Sequence, residues 1–450
     1  MRVYHEDVGD VLDIESVTVA VYGLGKMGLP LAAVLADAGA TVRGVDIDPD
    51  VVTAVNAGET PVTNEPGLPE LIESHAGGRL KATTDGVAAA EAADVMIILV
   101  PTIVDDDNEP ILDPIVDVGE SISAGASDGD LVILESTVPP GTTEEVLVDA
   151  VESDGFTAGE DFGVAYCPER TYAGNVIRDL TESYPKIVGG IDGASTASAA
   201  ALYRVFNEPG VIEVGSTKGA EAVKVFEGVF RDVNIALANE LAKVCEQWIL
   251  DSEPVFRAAN TQPFCNIHTP GIGVGGHCIP VYPHFVTQQA DDTPLIETAR
   301  EVNDSMPDHA LTILQSLLGG QDRTLPDSRV LVLGVTYRPG VHETRYAPAV
   351  DAIGGLLERG ATVYAHDPLL DDDELESFGA IPVDSPLDVT DLDGVVLATG
   401  HKDYEAIDLS ALFDSMRTPV FVDGRRFFDA EEMSAFTYAT IGDGTGDYLP

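Results

Sequence analysis

Residues 17–46 read VTVAVYGLGKMGLPLAAVLADAGATVRGVD. A β-branched apolar run ends at Tyr22, the glycine turn GLGKMG follows, an Ala- and Leu-rich stretch has helical spacing, and a second apolar run ends at Asp46. Strand, turn, helix and strand in that order make one complete βαβ unit. Gly23, Gly25 and Gly28 form GxGxxG at the strand-to-helix turn. The first two glycines let the backbone turn tightly and approach a pyrophosphate, the third lets helix and strand pack closely, and the helix N-terminus favours the anion. Asp46 closes the second strand near the offset at which an acid accepts from the adenosine ribose 2′-OH. A carboxylate there repels a 2′-phosphate, so the expected cofactor is NAD and not NADP.

Further strand-like runs follow at Asp94 to Pro101, Asp130 to Ser136 and Gly163 to Tyr166, with helical patterns between them. Such alternation argues a parallel, doubly wound sheet. From Thr217 to about Leu250 the pattern becomes one proline-free helical stretch with apolar residues three and four apart. At 1.5 Å per residue it spans roughly 50 Å, suited to a spine between domains and to a dimer surface. After the polar stretch GGQDRTLPDSR a second α/β pattern begins with VLVLGVTYRPG, a helix from Pro348 to Arg359 and ATVYAHDP, followed by GVVLATG and PVFVDG. The expected architecture is α/β. A Rossmann domain covers 1–212, a central helical domain with the spine helix covers 213–315, and a second Rossmann-like doubly wound domain covers 325–450.

The chain has 24 Lys and Arg against 77 Asp and Glu, a formal net charge of −53, and the carboxylates run along its whole length. At ordinary ionic strength these charges repel across the compact state, whereas at molar salt the Debye length falls to about 3 Å. The expectation is a salt-rich cytoplasm of the haloarchaeal kind. The same charge argues against nucleic acid as a partner, because a phosphate backbone would be repelled. The N-terminal MRVYHEDVGDVLDIES lacks the basic and apolar regions of a signal peptide. The most apolar run, Val95 to Val100, is far below the roughly 18 residues of a membrane span. A cytoplasmic protein with no membrane partner is expected. Four cysteines without CxxC or Cys/His metal spacing point to reduced thiols and no structural zinc.

Four stretches carry groups with chemical options. ESTVPPGTT, Glu135 to Thr143, ends a predicted strand where doubly wound sheets put ligands, and reads equally as a polar turn. YCPER, Tyr166 to Arg170, sets Glu169 and Arg170 after another strand, as site residues or as a surface ion pair. Lys224 lies among apolar neighbours in AVKVF, either snorkelling to water or partly buried. In the loop NIHTPGIGVGGHCIP, Asn266 to Pro280, many backbone N–H groups accompany Cys278, which is a candidate nucleophile or a structural thiol. A dinucleotide site and a loop cysteine constrain each other. Nicotinamide takes a hydride from an alcohol or a hemithioacetal, and a thiolate can hold an aldehyde as that hemithioacetal, which suggests oxidation through aldehyde to acid.

In order along the chain stand GLGKMGLP, NEPGLPEL, STVPPGTT, CPER, KGAEAVK, DVNIALANELA, GVGGHCIP, YRPGVHETRYAPA, HDP, LATGHKDY and VDGRR. With these motifs the chain resembles the UDP-glucose/GDP-mannose dehydrogenase family over nearly its whole length. RDVNIALANELA and NIHTPGIGVGGHCI look most like its UDP-N-acetylmannosamine dehydrogenase branch, whose members make the uronic acid using two NAD+. The resemblance implies that Cys278 is the nucleophile forming hemithioacetal and thioester. Lys224 would stabilise the oxyanion or assist proton transfer, Glu169 would handle protons in hydrolysis, and Thr137 would position water or substrate. It also implies NAD contacts at Gly23, Gly25, Gly28, Asp46, Thr102 and Thr137. Substrate contacts would come from Glu169, Arg170, Lys224, Gly275, Gly276 and Arg345, with Arg345 reaching the phosphates or uridine from a UDP-sugar-binding C-terminal domain, in a homodimer built on the central helix.

Two positions depart from that pattern. Gly228 stands where the family has an asparagine one turn after the lysine, and Tyr282 where it has an aspartate four residues after the nucleophile. Water activation then rests more on Glu169 or another base. GLGKMG also resembles the β-hydroxyacid and 6-phosphogluconate dehydrogenases, which have no counterpart of GVGGHC or of the second α/β domain. A non-catalytic nucleotide-sugar binding protein is the rival from another class. UDP-glucose and UDP-N-acetylglucosamine are the alternative substrates.

Overall fold

The computed structural model describes residues 3–5, 11–105, 108–152, 156–172 and 174–444. Residues 1, 2 and 6–10, part of the stretch on which the leader-sequence reading rests, lie outside them. The chain forms two compact units, Met1–Glu227 and Gly228–Pro450, and the boundary falls inside helix Thr217–Gln247. No helix among the described residues is long and apolar enough to cross a membrane.

The first unit is built on strands β1 (Thr18–Tyr22), β2 (Thr41–Val45), β3 (Leu80–Thr83), β4 (Val95–Ile98), β7 (Leu131–Leu134), β8 (Gly163–Tyr166), β9 (Lys186–Gly190) and β10 (Val211–Glu213), with a small hairpin of β5 (Ile103–Val104) and β6 (Pro110–Ile111) beside them. The sheet order is β10-β9-β8-β7-β4-β1-β2-β3. From β3 to β8 all pairs are parallel, in the order of a dinucleotide-binding sheet. The central strands VMII and LVIL are buried throughout, as expected of a sheet covered on both faces. Helix Gly28–Ala38 lays Leu29, Leu31 and Leu35 into the same core as Val19 and Val21. Burial of each such leucine is worth roughly 1.5–3 kcal/mol. The fully parallel sheet expected from the alternation is modified at one edge, where β9 runs antiparallel to β8 and β10 follows β9. The described residues of the connection 167–185 carry only short helical segments, and without a crossover helix among them the chain returns antiparallel.

In the second unit β11 (Arg329–Leu333), β12 (Thr362–His366), β13 (Ile381–Pro382), β14 (Leu392–Leu397), β15 (Met416–Asp423) and β16 (Thr437–Thr440) form a sheet of order β13-β12-β11-β14-β15-β16, parallel throughout. This is again the Rossmann order, and the first joint is repeated in detail. Gly334 follows β11 with φ +78°, and a Cβ on it would lie 2.1 Å from the Thr399 carbonyl oxygen. Asp367 closes β12 as Asp46 closes β2. Its Oδ2 accepts from the N–H groups of Val335 (2.7 Å) and Thr336 (2.8 Å) and from the Thr336 hydroxyl (3.0 Å), with His401 Nε2 at 3.1 Å. Asp367 is thus buried and saturated from inside the fold.

Candidate active site

In the first unit the candidate residues gather beyond the C-terminal ends of the parallel strands, where this topology leaves its crevice. Gly23 has φ +95°, and a Cβ there would stand 2.4 Å from the Leu99 carbonyl oxygen. A Cβ on Gly28 would stand 1.9 Å from the Gly23 carbonyl oxygen, so both glycines are sterically obligatory. A Cβ on Gly25 would meet nothing within 4 Å, which leaves open space at the middle of the turn. Helix Gly28–Ala38 begins without a side-chain cap and without an acid in its first turn. The positive end of its dipole is therefore not neutralised by an acid and favours an anion. At the end of β2, Asp46 Oδ2 accepts from the Leu24 N–H (2.8 Å) and Oδ1 from the Asp48 N–H (3.0 Å), which orients the carboxylate. Beyond β4, the Thr102 hydroxyl oxygen is enclosed and finds no hydrogen-bond partner.

Thr137 follows β7 and is half-buried. Two residues before it, Glu135 is wholly buried, accepting from Lys186 Nζ (3.2 Å) and from the Tyr203 hydroxyl. After β8, Glu169 accepts from the Thr171 N–H through its carboxylate, and its carbonyl accepts from Lys224 Nζ. The sequence motifs CPER and KGAEAVK are thereby joined. Arg170 is engaged within the unit: Nη2 lies 2.6 Å from Glu227 Oε1, and the guanidinium stacks over Tyr184 at 5.1 Å.

The second unit carries the cysteine loop. Asp232, on helix Thr217–Gln247, is buried and bonds to Arg300 and, at 2.8 Å, to the Asn303 side chain. Asn303 Oδ1 accepts from Asn239 Nδ2 (2.9 Å), whose own Oδ1 accepts from the Gly271 N–H (2.9 Å). Asp232 and Asn239 lie seven residues apart on one helix face, and this relay explains RDVNIALANELA as the anchor of the glycine loop. Gly275 and Gly276 press on the Tyr337 side chain: their Cβ atoms would meet its carbons at 2.7 Å. The Gly276 N–H donates to the Arg345 carbonyl (2.9 Å), so the segments GVGGHC and HETRY run together.

None of the four cysteines is in a disulfide. Burial pushes the Cys167 thiol up to about 12 and raises that of Cys245, which keeps both protonated. Cys278 is only half-buried, its carbonyl accepts from the N–H groups of Val281 (3.2 Å) and Tyr282 (3.0 Å), and its presence raises the pKa of the neighbouring His277. Lys224 belongs to the first unit and Cys278 to the second.

Three family models match in succession: the NAD binding domain of the UDP-glucose/GDP-mannose dehydrogenase family over residues 17–207, its central domain over 218–305 and its UDP binding domain over 331–430. The chain belongs to the UDP-glucose/GDP-mannose dehydrogenase family. It is an NAD-dependent nucleotide-sugar dehydrogenase. A UDP-N-acetyl-D-mannosamine dehydrogenase of Pyrococcus horikoshii is 34% identical over 429 residues, which cover 95% of this chain and 99% of the relative. A solved structure of the UDP-D-ManNAc dehydrogenase from that organism superposes with a TM-score of 0.85 at 33% identity, covering 95% and 100% of the two chains. An NDP-N-acetyl-D-galactosaminuronic acid dehydrogenase structure from Methanosarcina mazei gives 0.87 at 29% identity, covering 96% and 97%.

The dehydrogenase's first unit fits NAD. The open space at Gly25, the uncapped helix start, the oriented Asp46 carboxylate and the orphaned Thr102 hydroxyl are what a pyrophosphate, a ribose and their neighbours need. Sequence reading passed over His277, Tyr337 and the Asp232–Arg300 pair. The first two stood inside quoted motifs, GVGGHC and YRPG, and the third needed a contact between residues 68 apart.

Proposed function

We propose that this dehydrogenase oxidises the C6 alcohol of a UDP-sugar to the uronic acid, with UDP-N-acetyl-D-mannosamine as the substrate. The observation that carries the reading is the half-buried Cys278, outside any disulfide, in the loop that the family's central domain matches. NAD, when bound, accepts the hydride of each two-electron step. Cys278 holds the intermediate aldehyde as a hemithioacetal and then as a thioester. Lys224 steadies the oxyanion, Glu169 moves the proton needed for hydrolysis, and Thr137 positions water. Gly23, Gly25, Gly28, Asp46, Thr102 and Thr137 contact the cofactor, while Arg170, Gly275, Gly276 and Arg345 contact the nucleotide-sugar. Labour divides among segments 1–212 for NAD, 213–315 for catalysis and association, and 325–450 for the UDP-sugar.

The similarity to the Methanosarcina mazei structure supports a second reading, in which the sugar is another N-acetylated hexosamine. Phe226, Phe230 and Leu237 recur along one side of the long helix at 57%, 60% and 49% exposure and support a homodimer through it. The acidic composition supports a salt-rich cytoplasm, and the uronate product suits polysaccharide biosynthesis.

The test is NADH formed per UDP-N-acetylmannosamine consumed in concentrated KCl, with the other UDP-sugars in parallel. About two NADH per sugar are expected from full covalent oxidation. One would mean that the reaction stops before the acid, and none with any sugar would favour a binding protein.

A further inference from the structure

We propose that Glu221 is a positioning residue of the oxidation, holding the loop that carries Thr137 onto the helix that carries Lys224. This rests on the proposed reading, in which Thr137 and Lys224 serve the reaction.

Of the motif KGAEAVK, the proposed chemistry uses only Lys224. Glu221, three residues before it, is wholly buried, where a carboxylate is strongly disfavoured unless its oxygens are bonded. Both oxygens are bonded. Oε1 accepts from the Thr143 N–H (2.8 Å) and the Thr143 hydroxyl (2.6 Å), and Oε2 accepts from the Gly141 N–H. Three donors of the loop after β7 thus converge on one side chain. A carboxylate can accept from all of them, whereas a carboxamide has one acceptor oxygen and would turn its NH2 toward a donor. The position therefore suits Glu and not the isosteric Gln.

The same helix face makes the neighbouring contacts. Thr217 and Lys224 stand four residues before and three after Glu221, on one side of helix Thr217–Gln247. The Thr217 hydroxyl donates to Glu144 Oε1 (2.6 Å), and Lys224 Nζ donates to the Glu169 carbonyl. The helix start thus holds the loop after β7 at two points and the loop after β8 at one.

This hold reaches Thr137 because the chain between is short and stiff. Ser136 fixes one side, its hydroxyl donating to the Val100 carbonyl (2.7 Å) and its N–H to the Ile98 carbonyl (3.2 Å). On the other side stand the buried Val138 and then Pro139 and Pro140, whose rings fix φ, leading directly to Gly141. Gly141 has φ +107°, which a side chain would strain. Thr142 closes the turn by donating its N–H (3.2 Å) and its hydroxyl (2.7 Å) to the Pro139 carbonyl. Thr137 therefore lies between two fixed points, and Glu221 fixes the second. Releasing that end lets the Thr137 hydroxyl drift from where the reading needs it, and a displacement of about 1 Å is costly in a reacting geometry.

The experiment is a double-mutant cycle on NADH formation by the full-length chain in concentrated KCl, with UDP-N-acetylmannosamine or the UDP-sugar that replaces it in the parallel assay. Its members are the unaltered protein, Glu221→Gln, Thr137→Ala and the two combined, each first checked for a native circular dichroism spectrum. Glu221→Gln should lower kcat by about tenfold or more while KM for the UDP-sugar moves less than about threefold. In the Thr137→Ala background the same substitution should cost less than about twofold, because the residue through which it acts is already gone. Should Glu221→Gln lose the native spectrum, Thr143→Val takes its place in the cycle. That change removes one of the three donors, keeps the shape and should show the same dependence on Thr137 with a smaller loss. Full kcat in the Glu221 variant, or an equal loss in both backgrounds, would overturn the proposal, since a purely structural carboxylate weakens the enzyme whether or not the Thr137 hydroxyl is present. Full turnover by Thr137→Ala is a different failure, because it removes Thr137 from the underlying reading and the proposal with it. A protein that forms no NADH with any UDP-sugar defeats the reading as a whole, and the proposal falls at the same time.

Discussion

The ring of Tyr282 occupies the space that a side chain at position 228 would need. A Cβ on Gly228 would stand 2.2 Å from Tyr282 Cδ2, 3.0 Å from Cγ and 3.1 Å from Cβ. The two departures from the family pattern are therefore one reciprocal exchange, in which the side chain lost from the long helix is matched by a larger one at the start of helix Tyr282–Thr287. The Tyr282 N–H also donates to the Cys278 carbonyl at 3.0 Å, so the ring that rests on the helix belongs to the residue holding the cysteine turn. Gly228→Ala alone should destabilise by about 1–3 kcal/mol through overpacking. In a Tyr282→Ala background the same change should stabilise by up to about 1 kcal/mol, because alanine is the better helix former. Denaturant midpoints at fixed KCl decide the matter, and an equal effect in both backgrounds would refute the contact.

Asp46→Asn removes the charge that excludes a 2′-phosphate and weakens a charge-assisted hydrogen bond worth roughly 1.5–3 kcal/mol. The KM for NAD should rise at least tenfold, and the preference for NAD over NADP should narrow. Initial rates with each dinucleotide measure both, and an unchanged preference would mean that discrimination lies elsewhere.

Strand, glycine turn and acid around β1 were readable because they are local: the Gly23 carbonyl excludes a side chain at Gly28 and Asp46 accepts from the Leu24 N–H within one βαβ unit, although Gly23 itself presses on Leu99 beyond it. The long helix was equally plain, since its spacing persists over Thr217–Gln247. The edge strands β9 and β10 were not, because the antiparallel turn-back depends on the absence of a crossover helix. In the site, Gly228 and Tyr282 could each be identified as departures, but their contact joins residues far apart in the chain.

Asp232 tests the anchor of the glycine loop. Its carboxylate and Arg300 are buried together, and burial raises the Asp232 pKa to about 6 against the pull of Arg300. Asp232→Ala leaves that arginine without its buried partner and should cost about 3–5 kcal/mol. Urea denaturation reads the loss, and a change below about 1 kcal/mol would show that the relay is not structural.

Asp367 predicts an acid limb. Burial opposes its charge, yet the bonds from His401 and from backbone N–H groups hold its pKa at about 2. A carboxyl depressed in the folded state adds stability that is fully present above the unfolded value near 3.9 and is lost as pH falls toward 2. Asp367→Asn should lose on the order of 2 kcal/mol at neutral pH and show a flatter stability curve between pH 4 and 2. Parallel slopes for the two proteins in that window would contradict the assignment.

The net charge of −53 predicts that lowering KCl loosens the fold. Circular dichroism across a KCl series should lose native signal at low salt. A spectrum unchanged to millimolar KCl would remove the case for a salt-rich habitat.

The saturated carboxylate of Asp367 has a consequence for timing. With that acid turned inward, the joint after β11 does not present a carboxylate as Asp46 does after β2. On the proposed reading, two oxidations of one sugar must then use a single cofactor seat in turn, and the half-oxidised sugar has to wait while the seat is vacated and refilled. Affinity alone guards a reactive aldehyde poorly over such an interval. A covalent bond to Cys278 sets no limit on the wait, so the tether serves custody of the intermediate as much as speed.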